Sequence, residues 1–145
     1  MPIEYAIPIV HNYLVREGVR DEMVLMASGG IRTAFDVAKA VALGADGAVI
    51  GTVELVSIGC KRCGNCERGR GCPSGIATTD PMLTHLIKPE WGAQRIVNMY
   101  HSWKLQWNYI LKRLDLDGMR ELRPSNEVIF RRGRFEHLVH LDHLR

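Results

Sequence analysis

The chain has 145 residues, 46% hydrophobic and 24% charged, with a net charge of +3, enough apolar material for an ordinary core, which excludes a disordered or fibrous protein. Its positive charge is mild and gathers around the cysteines and in "FRRGR", which argues against nucleic acid as a partner. Apolar runs such as "EMVLMAS" and "GAVIG" are far too short for a bilayer, and "MPIEYAIPIVHNY" lacks the pattern of an export leader, so a cytoplasmic protein with no membrane partner is expected.

In chain order, "IEYAIPIVHNYLVREGV" reads as a helix with Val10, Tyr13 and Leu14 on one side, Pro8 in or near its first turn and Gly18 as its stop. The apolar run Met23 to Ala27 then reads as a strand covered on both faces, as parallel sheets require. A helix follows, opened by Thr33 with Asp36 three residues on. It is buried along Val37, Ala38, Val41 and Ala42 and stopped by Gly44. A second strand, Ala48 to Ile50, ends at Gly51 and Thr52, so the unit is β-turn-α-β with glycine at both strand ends. Glycine lets backbone N–H groups approach an anion. Ser28, Gly29, Gly30, Gly51 and Thr52 therefore stand where the last two strands of a (β/α)8 barrel commonly build a phosphate site.

All four cysteines, Cys60, Cys63, Cys66 and Cys72, fall within "CKRCGNCERGRGC". In a reducing compartment such clustering favours a metal over disulfides. The spacing C-x2-C-x2-C-x5-C with Pro73 after the last cysteine is close to the bacterial ferredoxin run, whereas zinc usually takes two C-x2-C knuckles held apart by a longer insert. An iron–sulfur cluster is favoured, with zinc or unliganded thiols as the other uses. Gly59, Gly64, Gly69 and Gly71 suit a loop wrapped closely around an inorganic core with amides aimed at sulfur. Lys61, Arg62, Arg68 and Arg70 would offset its negative charge.

"TTDPMLTHLIKPEWG" is turn-rich, and "AQRIVNMYHSWKLQWNYILKRL" is a long helix with a core stripe of Ile96, Tyr100, Trp103, Trp107, Ile110 and Leu114. Near the C-terminus His137, His140 and His143 recur every third residue, but such positions drift around a helix axis and do not argue for a metal. Leu138, Leu141 and Leu144 mark a packing segment, and Arg131, Arg132 and Arg134 read as a solvated basic turn.

The run "ASGGIRTAFDVAKAVALGADGAVIGT" followed by "GCKRCGNCERGRGCPSGIATTDP" resembles the last two β/α units and cluster loop of the FMN-binding synthase domain of glutamate synthase, especially its archaeal-type relatives. The likeness continues through "WGAQRIVNMYHSW" and "HLVHLDHL" and covers most of the chain. It implies an α/β chain forming the C-terminal part of a (β/α)8 TIM-type barrel, with an iron–sulfur cluster loop and a long C-terminal helix. As a single unit of residues 1–145, this divides into barrel units (1–58), cluster loop (59–80) and helical extension (81–145).

The likeness further implies FMN, its phosphate on Ser28, Gly29, Gly30, Gly51 and Thr52. A cluster on Cys60, Cys63, Cys66 and Cys72 would pass electrons to it for reductive amination of 2-oxoglutarate to glutamate. The bacterial large-subunit pattern, C-x5-C-x4-C, holds a three-iron cluster. Here Cys60 and Cys66 keep the first interval, Cys72 lies one residue late and Cys63 is additional, so 3Fe-4S and 4Fe-4S both stand. Ser28 replaces the aspartate that many FMN barrels carry before the two glycines. Nucleotide dehydrogenases such as IMP dehydrogenase share "GGIRT…GAD" but lack C-P-x-G-I-A-T and need an upstream nucleophilic cysteine that is absent here.

A complete barrel takes about 250 residues, and two barrel strands are legible before the cysteines. The expected partner is therefore a complementary N-terminal half-barrel, on another chain or in a missing segment, with an electron-donor protein and a glutaminase subunit beyond it. Alone, the chain should not turn over substrate. Two other readings stand: a small iron–sulfur electron-transfer or scaffold protein without flavin catalysis, and a structural zinc module.

Overall fold

The computed structural model describes residues 1–124. The C-terminal histidine, leucine and arginine patterns, and the part of the helical extension beyond Pro124, lie outside the described residues. The elements are α1 (Ile3–Arg16), β1 (Met26–Ser28), α2 (Ala34–Ala42), β2 (Gly47–Val49), α3 (Thr52–Ser57), α4 (Pro81–Thr84), α5 (Pro89–Leu114) and a 3-10 turn, Met119–Leu122. They form two compact units. One comprises Met1–Val49 with the described residues from Trp107 onward, the other Ile50–Gln106.

In the first unit β1 and β2 pair in parallel, Met26 opposite Gly47, Ala27 opposite Ala48 and Ser28 opposite Val49. This is an α/β arrangement, with α2 connecting the strands and α1 packed against β1. The α2 helix starts where its sequence says. The Thr33 amide donates to Asp36 Oδ2 at 2.9 Å and the Asp36 amide to Thr33 Oγ1 at 3.3 Å, a reciprocal capping box. It ends in a Schellman turn, Gly44 N–H to Val41 O at 2.9 Å and Ala45 N–H to Ala40 O at 3.0 Å. Gly44, at φ +111°, is required twice, for an added Cβ would also stand 2.5 Å from His11 Cγ.

Polar groups hold this unit as much as apolar ones. Arg20, 2% exposed, donates through Nε to His11 Nδ1 (3.1 Å), through Nη1 to Met23 O (2.9 Å), and through Nη2 to Gly44 O and Asp46 Oδ2 (each 2.8 Å). Asp46 Oδ2 also takes the Leu25 amide at 2.7 Å, and Oδ1 takes Arg123 Nη1. For the buried members, Arg20 and His11, these bonds replace the water that burial removes.

Several expectations are corrected here. The buried face of α1 is Ile7, Pro8, His11 and Asn12, while Val10 and Tyr13 are exposed, because Arg20 makes a polar face buriable. Pro8 lies in the second turn, since the helix already begins at Ile3. β1 runs Met26–Ser28 rather than Met23 to Ala27: the Leu25 amide is taken by the Asp46 carboxylate, and β2 offers three paired residues. β2 lies one residue earlier than expected. The sheet is covered on one side. Ala27 is buried, whereas Met23, Val24, Met26 and Val49 are exposed. On α2, Ala42 is exposed and Ala34 and Ala40 join Val37, Ala38 and Val41 inside.

In the second unit α3 is tied to α5. Tyr100 Oη donates to Glu54 Oε1, and Arg95 Nε donates to Ser57 O at 2.8 Å while its guanidinium lies 5.3 Å from the Trp91 ring centroid. The Tyr100 hydroxyl is pushed up to about 12 by this hydrogen bond to the Glu54 carboxylate and by burial. Trp103 is buried and meets Tyr100 edge-on at 5.9 Å. Of the expected stripe, Ile96, Tyr100, Trp107 and Ile110 are half-buried and Leu114 is exposed. The turn-rich passage contains α4, nucleated by Pro81 at its start and by Asp80 Oδ1 accepting from the Met82 amide at 2.8 Å.

Candidate functional site

Ser28 is the last residue of β1, and Gly29 and Gly30 follow at φ +100° and +72°, all three exposed. Positive φ there turns the chain sharply off the strand end. An added Cβ at either glycine would meet nothing within 4 Å, so the space before these backbones is open to a ligand. In the other unit Gly51 is the N-cap of α3 and Thr52 its first residue, both exposed, again with open space before Gly51. Exposed amides with room before them have the chemistry an anionic phosphate group requires.

The cysteine loop carries positive φ at Gly59, Gly64, Gly69, Gly71 and Gly75, and at Arg62. Its four thiols are free: Cys63 and Cys66 exposed, Cys60 half-buried, Cys72 buried. Among the described residues no three histidine, cysteine or acidic side chains are gathered as a metal group, so the cysteines are near in sequence without converging.

The surroundings of two sulfurs nevertheless suit thiolate ligands. The Arg62 amide points at Cys60 Sγ from 3.4 Å. Backbone N–H groups of Ala77 and Ser74, joined by Ile76 and Gly75, hold the Cys72 thiol below its ordinary value against the opposing effect of burial. Pro73 has no N–H, so the donors begin at Ser74. Sulfur already surrounded by amides is what an anionic iron–sulfur group asks of its ligands.

Sequence reasoning had pointed to amides on sulfur from the loop glycines. It missed that the donors to Cys72 lie after the last cysteine, in "SGIA". It also missed Gly75, whose signal was its place in "CPSGIAT". A cleft of about 430 Å³ lies at the other end of β1, lined by Met23, Val24, Met26, Asp46, Arg120 and Arg123, away from the glycine turn.

With two parallel strands joined by α2 and a four-cysteine loop later in the sequence, the chain has the features of an α/β enzyme segment that carries a cysteine-rich loop. The family model described as a conserved region in glutamate synthase matches residues 1–116, and the chain belongs to the glutamate synthase family. It is 42% identical over 129 residues to the archaeal-type glutamate synthase [NADPH] of Thermotoga maritima, covering 89% of this chain and 25% of that protein. To the archaeal glutamate synthase [NADPH] of Methanocaldococcus jannaschii it is 42% identical over 127 residues, 88% of this chain and 25% of that one. The glutamate synthase [NADH] of Saccharomyces cerevisiae is 30% identical over 132 residues, 91% of this chain and 6% of that protein. The chain thus spans about a quarter of the length of its archaeal-type relatives. No helix among the described residues is long and apolar enough to cross a membrane.

Proposed function

We propose that this chain is the cluster-bearing part of a cytoplasmic glutamate synthase-like oxidoreductase, the C-terminal portion of an FMN-binding (β/α)8 barrel. Cys60, Cys66 and Cys72 hold an iron–sulfur cluster with Cys63 as fourth thiolate, 4Fe-4S with it and 3Fe-4S without. Ser28, Gly29, Gly30, Gly51 and Thr52 bind the FMN phosphate. When bound, these groups supply the storage and delivery of electrons for reductive amination of 2-oxoglutarate to glutamate.

The protein's own contribution is electrostatic and positional. Amides after Cys72 stabilise thiolate charge, and Lys61, Arg62, Arg68 and Arg70 offset it from the same loop. The glycine turn after β1 leaves the strand-end backbone bare, so a phosphate can approach it closely. Because the chain covers about a quarter of its archaeal-type relatives, turnover needs the complementary half-barrel, an electron donor and a source of ammonia.

The observation that carries this reading is a loop of four free cysteines, the last of them buried, in a chain of this family. Anaerobically prepared protein should contain iron and acid-labile sulfide and absorb broadly in the visible. Zinc without iron would replace the reading with a structural zinc module, and colourless protein lacking both metals would end it.

A further inference from the structure

We propose that the contact between His11 and Arg20 is an acid-released catch: when the His11 ring gains a proton, α1 swings away from β1 and α2 about the turn at Gly18, while Arg20 keeps α2 and the strands in place. The catch lies wholly within the first unit and works with or without a group on the cysteines.

The His11 ring is closely confined. It has no exposed surface and lies against Gly44, where an added Cβ would stand 2.5 Å from its Cγ and 2.7 Å from its Nδ1. Nδ1 accepts from Arg20 Nε at 3.1 Å, while Nε2 has no hydrogen-bond partner among the described residues. The neutral ring therefore carries its proton on Nε2, and a second proton can go only to Nδ1. There it would face the Arg20 N–H, donor against donor and cation against cation.

The groups that could welcome that charge are already engaged. The Gly44 carbonyl takes Arg20 Nη2 at 2.8 Å, and the Asp46 carboxylate takes Arg20 Nη2, the Leu25 amide and Arg123. Arg123, which follows the 3-10 turn, brings a second guanidinium that opposes the charge. With the ring packed against Gly44, relief comes from leaving the site rather than from turning within it.

Of the parts that meet here, α1 is the one that yields. Arg20 keeps its bonds to Met23 O (2.9 Å), Gly44 O and Asp46 whether or not His11 stays, and the Asp46 amide still donates to Leu25 O at 2.8 Å. These join the starts of both strands to the end of α2. On α1, by contrast, the Glu4–Lys39 pair at 3.4 Å is exposed at both ends and Lys39 is shared with Asp36, so it holds the helix weakly. Gly18, at φ +73° with open space before it, ends α1 in a turn where the chain can pivot.

The test is amide hydrogen exchange on the full chain at about pH 7.5 and about pH 5.5, corrected for the pH dependence of chemical exchange, in wild type and His11→Gln. Between these values the wild-type amides of Ile7–Asn12 should lose protection about tenfold, while those of Val37–Val41 in α2 keep theirs. His11→Gln, whose amide oxygen still accepts from Arg20 but does not titrate, should show no such loss. Constant protection in α1, an equal loss in α1 and α2, or a pH-dependent loss that persists in His11→Gln would each overturn the proposal. Should His11→Gln fail to protect α2, wild type decides by itself through nitrogen NMR of the His11 ring. Protonation of Nδ1 in step with the loss of α1 protection supports the catch, and either event without the other overturns it.

Discussion

His11 shows how one side chain comes to depend on residues far along the chain. Its ring has no exposed surface, and Nδ1 accepts from Arg20 Nε at 3.1 Å, so the ring proton sits on Nε2. Burial first, and then the Arg20 guanidinium, hold His11 below its ordinary value of 6.5; Arg123 acts in the same direction, while the Gly44 backbone and the Asp46 carboxylate oppose it. The folded state therefore binds fewer protons than the unfolded chain just below 6.5, so this contribution to stability is complete above that value and is lost as pH falls beneath it. Chemical-denaturation midpoints should drop between about pH 7.5 and about pH 5.5. His11→Gln, whose amide oxygen still accepts from Arg20, should flatten that slope, and identical profiles would contradict the account. Glu4, Asp36 and Asp46 are held below the usual carboxylate range and so titrate in a lower, separate window. None of this was legible from residue types: the face that the sequence offers for burial in α1 is Val10, Tyr13 and Leu14, and no local pattern marks His11, Asn12 or Arg20 as interior.

At the scale of elements, α2 was the most readable and the strands the least. Both ends of α2 are closed by groups within a few residues, the Thr33–Asp36 box and the Gly44 turn, so local chemistry suffices to place them. Thr33→Ala should cost about 1 kcal/mol in denaturant unfolding, and a loss near zero would mean that tertiary packing alone sets where the helix starts. The strands depend on a mate. Met23 to Leu25 have the composition of a strand, but the Asp46 carboxylate takes the Leu25 amide before a ladder can form there. Likewise the passage before α5, which reads as turn-rich, contains a helix too short for periodicity to reveal, set by its Asp80–Pro81 start.

Over the whole molecule, the bare face of the sheet is the main feature. Met26 and Val49 on the strands, and Met23 and Val24 just before β1, are exposed although the composition of this segment suits burial on both sides, in a chain that matches about a quarter of its archaeal-type relatives. Co-production with the complementary barrel segment of such a relative should yield a co-purifying pair that melts at higher temperature and retains FMN. A pair that associates without flavin would favour the electron-transfer or scaffold reading, and failure to associate would remove the half-barrel proposal.

Spacing and composition alone were enough for whatever the chain closes over short range: the α2 cap and stop, the glycine turn after β1, the cysteine run and the family likeness it carries. Folding in three dimensions decided which face of α1 is buried and how far β1 extends. Those outcomes rest on groups distant in sequence, His11 with Arg20 and the Leu25 amide with Asp46, and a hydrogen bond between such groups exists only once packing has brought them together.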